Sequence, residues 1–123
     1  MPRRILVVDD HPAVLTNTQE LLATSFPGTV FGHATDIQET LELVRRERWD
    51  VVIIDMSVLG GNLGTIREVK KMQPMIKVLV FSMYSADQFG EPVQRAGADG
   101  YLSKGLPTEE IVAVVGRMLG APP

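Results

Sequence analysis

The sequence contains no cysteine among its 123 residues. This absence excludes disulfides, thiolate metal sites and cysteine nucleophiles, and it is typical of a protein of a reducing compartment. Long apolar runs are also missing. The first one begins at Ile5 and ends after Val8, before the pair Asp9 and Asp10, which is too short for a signal peptide or a membrane span. We therefore expect a cytoplasmic protein with no membrane contact.

An excess of basic residues is missing as well. The formal net charge is −3 and the isoelectric point about 5.3. The one basic run, residues 45–48, is interrupted by Glu47 and is typical of a solvated helix face. We therefore expect no direct contact with DNA. The length and the 45 % of hydrophobic residues fit one compact domain.

Two kinds of segment alternate along the chain. Short β-branched apolar runs at residues 5–8, 51–54 and 78–81 are typical of parallel strands buried on both faces, and residues 30–34 and 100–102 are weaker strand candidates. Between them, apolar residues recur at helical spacing, as in the stripe Phe89, Val93 and Ala96, which we expect to face the core. Five strand–helix units predict a doubly wound α/β domain with a five-stranded parallel sheet.

Start and stop signals agree with these helices. Thr35 and Ser85 each stand three residues before a glutamine, the pattern of a capping box. Pro12 and Pro107 suit the first position of a helix, and Gly97 suits a left-handed C-terminal cap.

Polar residues follow four of the strands. Asp9 and Asp10 follow the first strand, Asp55 ends the third, Ser82 follows the fourth and Lys104 the fifth. Ligands bind at the carboxyl ends of the strands in such folds, so we expect these side chains to converge. Each alone is as well explained by a turn, a cap or a surface position; their joint placement favours function. Clustered carboxylates suit Mg²⁺, and a hydroxyl and an ammonium opposite them suit a phosphoryl group.

The residues resemble the receiver (CheY-like) family of response regulators over nearly the whole chain. The resemblance is carried by four motifs: Val7-Val8-Asp9-Asp10-His11-Pro12, similar to the NarL/FixJ (LuxR-type) subgroup, Trp49 to Met56, Val80-Phe81-Ser82-Met83, and Arg95 to Lys104. It implies the flavodoxin-like strand order 2-1-3-4-5 and a receiver domain over residues 1–119. Residues 120–123 would then begin a linker to an absent C-terminal helix-turn-helix domain, the only part expected to bind DNA.

The resemblance also implies a metal site and an acceptor. Asp55 would accept a phosphoryl group from a sensor histidine kinase. Mg²⁺ would be bound by Asp55, by Asp10 directly, by Asp9 largely through water and by the backbone carbonyl of Ser57. The protein would be a phosphoacceptor switch that catalyses only its own phosphorylation and dephosphorylation.

Three further roles follow from the same resemblance. Lys104 would pair with the phosphoryl group, Ser82 would hydrogen-bond to it, and Tyr101 would be the aromatic switch that turns inward. The last helix–strand faces would then shift and alter an output that regulates transcription. Homodimers could form through those faces or through the first and last helices.

The chain departs from the family pattern after Asp55. Leu59 replaces the usual proline, and glycines surround Asn62, so the conformation of the loop 60–64 is left open and we expect it to be less rigid. Gly105 follows Lys104 where relatives often have proline or aspartate. For His11, beside the acid pair, we expect a loop histidine that caps a helix or faces solvent.

Two alternatives are weighed against a receiver. A Mg²⁺-dependent phosphatase or phosphotransferase of the haloacid-dehalogenase type needs a second aspartate two residues after the nucleophile, where this chain has Ser57. A phosphorylation-independent pseudo-receiver would lack one of the acids or the lysine, and none is missing.

Overall fold

The structure is a computed structural model that describes residues 2–120. The predicted linker, residues 120–123, lies outside this range except for Gly120. Within the range there are five strands and six helices: β1 Arg4–Val8, α1 Pro12–Ser25, β2 Val30–Ala34, α2 Ile37–Arg46, β3 Val51–Asp55, α3 Met56–Leu59, α4 Gly64–Met72, β4 Lys77–Ser82, α5 Ala86–Arg95, β5 Gly100–Ser103 and α6 Thr108–Leu119. None of the helices in residues 2–120 combines the length and the apolar character that a membrane crossing requires.

The strands form one parallel sheet in the order β2-β1-β3-β4-β5. The expected doubly wound fold and strand order are therefore confirmed. The three central strands are buried almost throughout, which is why their sequences are continuous apolar runs rather than alternating patterns.

Two core layers lie on opposite faces of the sheet. Because side chains alternate along a strand, Leu6 and Val52 join one layer, whereas Ile5 and Val51 join the other. The first layer is closed by residues of α2, α4 and α5, and the second by residues of α1 and α6. All the strand ends that carry the predicted site are thus set on a rigid, doubly covered sheet.

Trp49 packs where α2 meets β3, as expected for a helix–strand corner. Its indole N–H donates to the carbonyl of Leu43 at 3.0 Å, and the Arg4 guanidinium lies 4.8 Å from the ring centroid. The ring lies directly over Gly32 of β2, where an added Cβ would approach the indole to 2.4 Å. Glycine in this weak strand is explained by that close approach.

The helix starts differ from the predictions in detail. The cap of α2 is Asp36 rather than Thr35, with its carboxylate accepting from the Glu39 N–H at 2.7 Å. Ser85 is the N-cap residue of α5, but its hydroxyl makes no capping hydrogen bond. Pro107 is the residue before α6 rather than its first residue.

The predicted core stripe of α5 is partly wrong. Val93 and Ala96 are buried, but Phe89 is 40 % exposed and packs edge-on against the ring of Tyr84, with 5.1 Å between centroids. The helix contains Pro92, which removes one backbone donor from its interior. Gly97 has the expected left-handed conformation with φ 113°.

The segment after Asp55 forms an additional short helix, α3. Leu59, which stands where a proline was expected, is buried at its end. Gly60 and Gly61 then take positive φ values of 55° and 85°, which permit a turn that side chains with a Cβ would oppose. These two glycines, which depart from the family pattern, therefore form part of the turn between α3 and α4.

Candidate functional site

The sheet brings the predicted residues together at its carboxyl edge. Asp9 follows β1, Asp55 and Ser82 end β3 and β4, and Lys104 follows β5. Backbone bonds extend past the strand ends, since Asp9 donates to the Ala34 carbonyl at 3.1 Å and Lys104 donates to the Ser82 carbonyl at 2.7 Å. These bonds fix the backbone that carries the side chains.

Lys104 and Asp55 form the central ion pair of the site. The ammonium lies 2.8 Å from Asp55 Oδ1 and 3.5 Å from Asp9 Oδ2. Both carboxylates are almost fully buried. Burial of the ammonium opposes its charge, but the hydrogen bond and negative charge of Asp55 outweigh that cost, so the pKa of Lys104 is raised. The lysine therefore stays charged and offsets part of the buried negative charge.

Four side chains that could bind a metal cluster at this edge of the sheet. Asp9, Asp10, His11 and Asp55 each place one ligand atom so that all four atoms lie within 4.8 Å of one another. Asp10 faces solvent, with its side chain 51 % exposed, which leaves one side of the cluster open. This donor set, rich in carboxylate oxygen, fits a hard divalent cation that keeps some water ligands.

His11 lies closer to the acids than expected. It occupies the N-cap position of α1 without a side-chain capping bond, and its side chain is 64 % exposed, in agreement with a solvent-facing histidine. Its Nδ1, however, is 3.0 Å from Asp9 Oδ1 and 2.9 Å from Asp10 Oδ1. The hydrogen bond to Asp9 and the charge of Asp10 raise the pKa of His11.

Ser57 reaches the site through its side-chain hydroxyl, a contact that its sequence position did not lead us to predict. Its hydroxyl donates to Asp55 Oδ2 in a close contact and lies 3.5 Å from Asp10 Oδ1. The prediction had assigned only its backbone carbonyl. The available signal was its spacing, because the first turn of α3 brings the residue two positions after Asp55 back toward the carboxylate.

Ser82 and Tyr101 are linked through Tyr84. The buried Ser82 hydroxyl accepts the Tyr84 N–H at 3.0 Å, and the Tyr101 hydroxyl donates to the Tyr84 carbonyl at 2.8 Å. Tyr101 is half-buried, with that bond at the surface. The Ser82 hydroxyl therefore lies at the edge of the site and is hydrogen-bonded to the loop that follows β4.

A family model described as the response regulator receiver domain matches residues 5–116 of this chain. The chain belongs to the response regulator receiver family. This membership confirms the family predicted from the motifs.

The receiver is similar to several known regulators. It is 37 % identical to the response regulator GacA of Pseudomonas aeruginosa over 113 residues, which cover 91 % of this chain and 53 % of GacA. It is 30 % identical to the response regulator UvrY of Escherichia coli K12 over 112 residues, covering 90 % and 51 %. The receiver thus spans about half the length of these curated relatives.

A solved structure agrees with the fold. A two-component response regulator of the LuxR family from Aurantimonas sp. SI85-9A1 superposes with a TM-score of 0.87 at 29 % identity, covering 98 % of this chain and 86 % of that one. This agreement supports the LuxR-type subgroup that the opening motif had indicated.

Proposed function

We propose that this receiver takes a phosphoryl group on Asp55 from the phosphohistidine of a sensor histidine kinase. The observation that carries the proposal is the buried Asp55 carboxylate, held between the Lys104 ammonium and the acids of the metal-type cluster. Asp55 attacks the phosphorus in line, so an oxygen–phosphorus bond forms as the nitrogen–phosphorus bond breaks. The histidine leaves with the bonding electron pair. We propose that this transfer takes place in the cytoplasm.

Mg²⁺ is the cofactor proposed for this reaction. Asp10 and Asp55 would hold it directly, Asp9 largely through water, and the Ser57 backbone carbonyl would complete the protein ligands. When bound, the ion neutralises the acids and the transferring phosphoryl oxygens. The exposed side of the cluster at Asp10 gives it an entry path.

Lys104 and Ser82 would stabilise the product. The phosphoryl group adds about −1.5 to −2 charges at the centre of the site. Lys104 already contacts Asp55 Oδ1, and it would move outward to pair with the phosphoryl oxygens, which carry the added charge. Ser82 would turn its hydroxyl to the same group, an interaction of the charge-assisted kind that is strong in a water-poor site.

The switch would be carried by Tyr84 and Tyr101. Tyr84 is held on its N–H by Ser82 and on its carbonyl by Tyr101. When Ser82 is drawn to the phosphoryl group, the loop that contains Tyr84 shifts, and Tyr101 loses the position of its hydrogen-bond partner. Tyr101 then turns inward, which biases the α5–β5 face between two states.

The proposed output is control of transcription. Relatives of about twice this length are named response regulators, and a matched structure belongs to the LuxR family. We propose that a LuxR-type DNA-binding domain follows this receiver in its parent protein, and that the switch alters dimerisation through the α5–β5 and α6 faces or through α1 and α6.

Phosphorylation of Asp55 is tested with acetyl phosphate and Mg²⁺. We expect intact-mass spectrometry to show one added phosphoryl group on the native protein and none on Asp55→Asn, which keeps the size of the side chain but loses the nucleophilic oxygen. Asp87→Asn is the matched control, because Asp87 is an exposed acid on α5. Full labelling of Asp55→Asn would rule out the acceptor.

The same assay separates the alternatives. A pseudo-receiver would show no labelling and no Mg²⁺-dependent change of amide shifts near Asp55 with beryllofluoride. A phosphatase of the haloacid-dehalogenase type would turn over phosphate monoesters, for which this site lacks the second aspartate at position 57.

A further inference from the structure

His11 is oriented by the carboxylates that surround it. Its backbone N–H donates to Asp9 Oδ1 at 2.9 Å, and its Nδ1 lies 3.0 Å from the same oxygen. The neighbouring Pro12 occupies the first turn of α1 and restricts the backbone there. The ring is therefore held with Nδ1 toward the acids and its remaining edge toward solvent.

The spacing of the ligand atoms fits one octahedral ion. Ligands at roughly 2.0–2.2 Å from a metal are about 2.8–3.1 Å apart when adjacent and about 4.0–4.4 Å apart when opposite. The Nδ1 of His11 is 2.9 Å from Asp10 Oδ1 and 3.0 Å from Asp9 Oδ1. The distance to Asp10 Oδ1 matches adjacent positions, which suits Asp10 and His11 as neighbouring direct ligands, and the four ligand-type atoms of the cluster all lie within 4.8 Å of one another.

We propose that His11 is a direct metal ligand through Nδ1, which raises the affinity of the site for first-row transition ions relative to its affinity for Mg²⁺. This inference rests on the proposed function, because it concerns the same ion. An imidazole nitrogen suits Ni²⁺, Cu²⁺ and Zn²⁺, whereas Mg²⁺ prefers carboxylate and water oxygen. A neutral imidazole also adds no negative charge, so its contribution to metal affinity depends on how well the ion accepts a nitrogen ligand.

The alternative is that His11 only hydrogen-bonds to the acids. A proton shared between Nδ1 and the two carboxylates would give similar distances. In that case His11 would position Asp9 and Asp10 equally for every ion. If His11 is a ligand, removal of the ring changes the ratio of the affinities for two metals, and a nitrogen atom is bonded to the metal. If His11 only hydrogen-bonds to the acids, neither holds.

The first experiment is a titration of untagged protein with Ni²⁺ and with Mg²⁺ by calorimetry. We expect His11→Ala to weaken Ni²⁺ binding at least about tenfold and Mg²⁺ binding by a clearly smaller factor. The matched control is His33→Ala. His33 is the other histidine of the chain and lies exposed on β2, outside the cluster. An equal loss for both ions in His11→Ala would overturn the proposal.

The second experiment begins with the native protein. Pulsed electron paramagnetic resonance of bound Cu²⁺, an ion that suits imidazole, should show coupling to a directly bonded ¹⁴N nucleus. The coupling should persist in His33→Ala and vanish in His11→Ala. Absence of the coupling while Asp55 is still labelled with Mg²⁺ overturns the ligand role alone. Absence of metal binding together with absence of labelling overturns the proposed function.

Discussion

Lys104 illustrates how much of the site depends on one side chain. Its ammonium lies 2.8 Å from Asp55 Oδ1 and 3.5 Å from Asp9 Oδ2, and both carboxylates are buried. Without it, the phosphoryl group would keep the metal and the Ser82 hydroxyl as its proposed partners but would lose the ammonium. The effect should therefore appear in the chemistry of transfer more than in the binding of the ion.

We expect Lys104→Met to slow the labelling of Asp55 by acetyl phosphate about 10- to 100-fold, because one charge-assisted hydrogen bond contributes roughly 1.5–3 kcal/mol. Time courses by intact-mass spectrometry measure the rate. Lys71→Met is the control, since Lys71 is an exposed residue of α4. Unchanged labelling of Lys104→Met would remove the lysine from the mechanism.

Tyr101 offers a prediction about the switch. Its hydroxyl donates to the Tyr84 carbonyl at the surface, and in the proposed switch this bond would hold the half-buried ring in its outward state. We expect Tyr101→Phe to raise the inward population before phosphorylation, because a partly exposed hydrogen bond of this kind contributes about 0.5–1.5 kcal/mol. Ring-proton shifts in NMR spectra, with and without beryllofluoride, report that population.

The control for the switch is Tyr84→Phe. The acceptor is the backbone carbonyl of Tyr84, so removing its side-chain hydroxyl leaves the bond in place. An outward ring in Tyr101→Phe, with shifts equal to those of the native protein, would show that the hydrogen bond does not set the equilibrium.

At the scale of elements, the ends of α2 and α4 are joined by Gln73. Its amide donates to the carbonyls of Val44 and Glu47, both at 2.6 Å, and accepts the Trp49 N–H at 3.0 Å. One side chain thus satisfies the last carbonyls of α2 and the entry to β3, groups that a helix end otherwise leaves without partners.

We expect Gln73→Ala to lower the free energy of unfolding by about 1–3 kcal/mol, since three hydrogen bonds are lost, two of them partly buried, and each contributes about 1 kcal/mol. Urea denaturation measures the change. Lys71→Ala, on the exposed side of the same helix, should stay close to the native value. Equal midpoints for the two variants would contradict the role of Gln73.

The elements also show where sequence reasoning succeeds and where it stops. The strands were predictable because residues buried on both faces must be apolar at every position. Phe89 was not, because helical spacing identifies a face but not whether a neighbour covers it, and here Tyr84 supplies the partner. The cap at Asp36 was missed by one residue, since Thr35 and Asp36 are both favoured N-caps.

For the molecule as a whole, the convergence of the candidate site residues was predictable from topology. Parallel strands end at one edge, so acids after β1 and β3 and a lysine after β5 must meet there. The Ser57 hydroxyl and the ring of His11 were not, because their direction depends on the turn of α3 and the N-cap of α1. Side-chain direction at a helix start is decided by local backbone angles that spacing alone does not contain.

Metal binding should be visible in the stability of the whole domain. An ion that binds only the folded state stabilises it by about 1.4 kcal/mol for each tenfold rise in concentration above its dissociation constant. We expect unfolding midpoints to rise with Mg²⁺ in this way for the native protein and for Asp87→Asn. The slope should flatten in Asp10→Asn, which loses a proposed direct ligand.

The Mg²⁺ prediction is tested by the slope of the unfolding midpoint against Mg²⁺ concentration. The midpoint without Mg²⁺ is not a fair comparison, because Asp10→Asn also relieves repulsion among the acids and so changes the starting stability. Calorimetric scans at several Mg²⁺ concentrations give that slope. An unaltered slope in Asp10→Asn would place the stabilising ion elsewhere on the domain.

The hydrogen bond from the Tyr84 N–H to Ser82 has one more consequence, for how the domain can be observed. A serine hydroxyl can donate one hydrogen bond while it accepts others, so its rotation toward a phosphoryl group changes the environment of a single amide proton. That proton carries its own resonance. If Ser82 rotates as proposed, the Tyr84 amide will be an internal reporter of the signalling state that can be read in living cells or in mixtures without any attached dye.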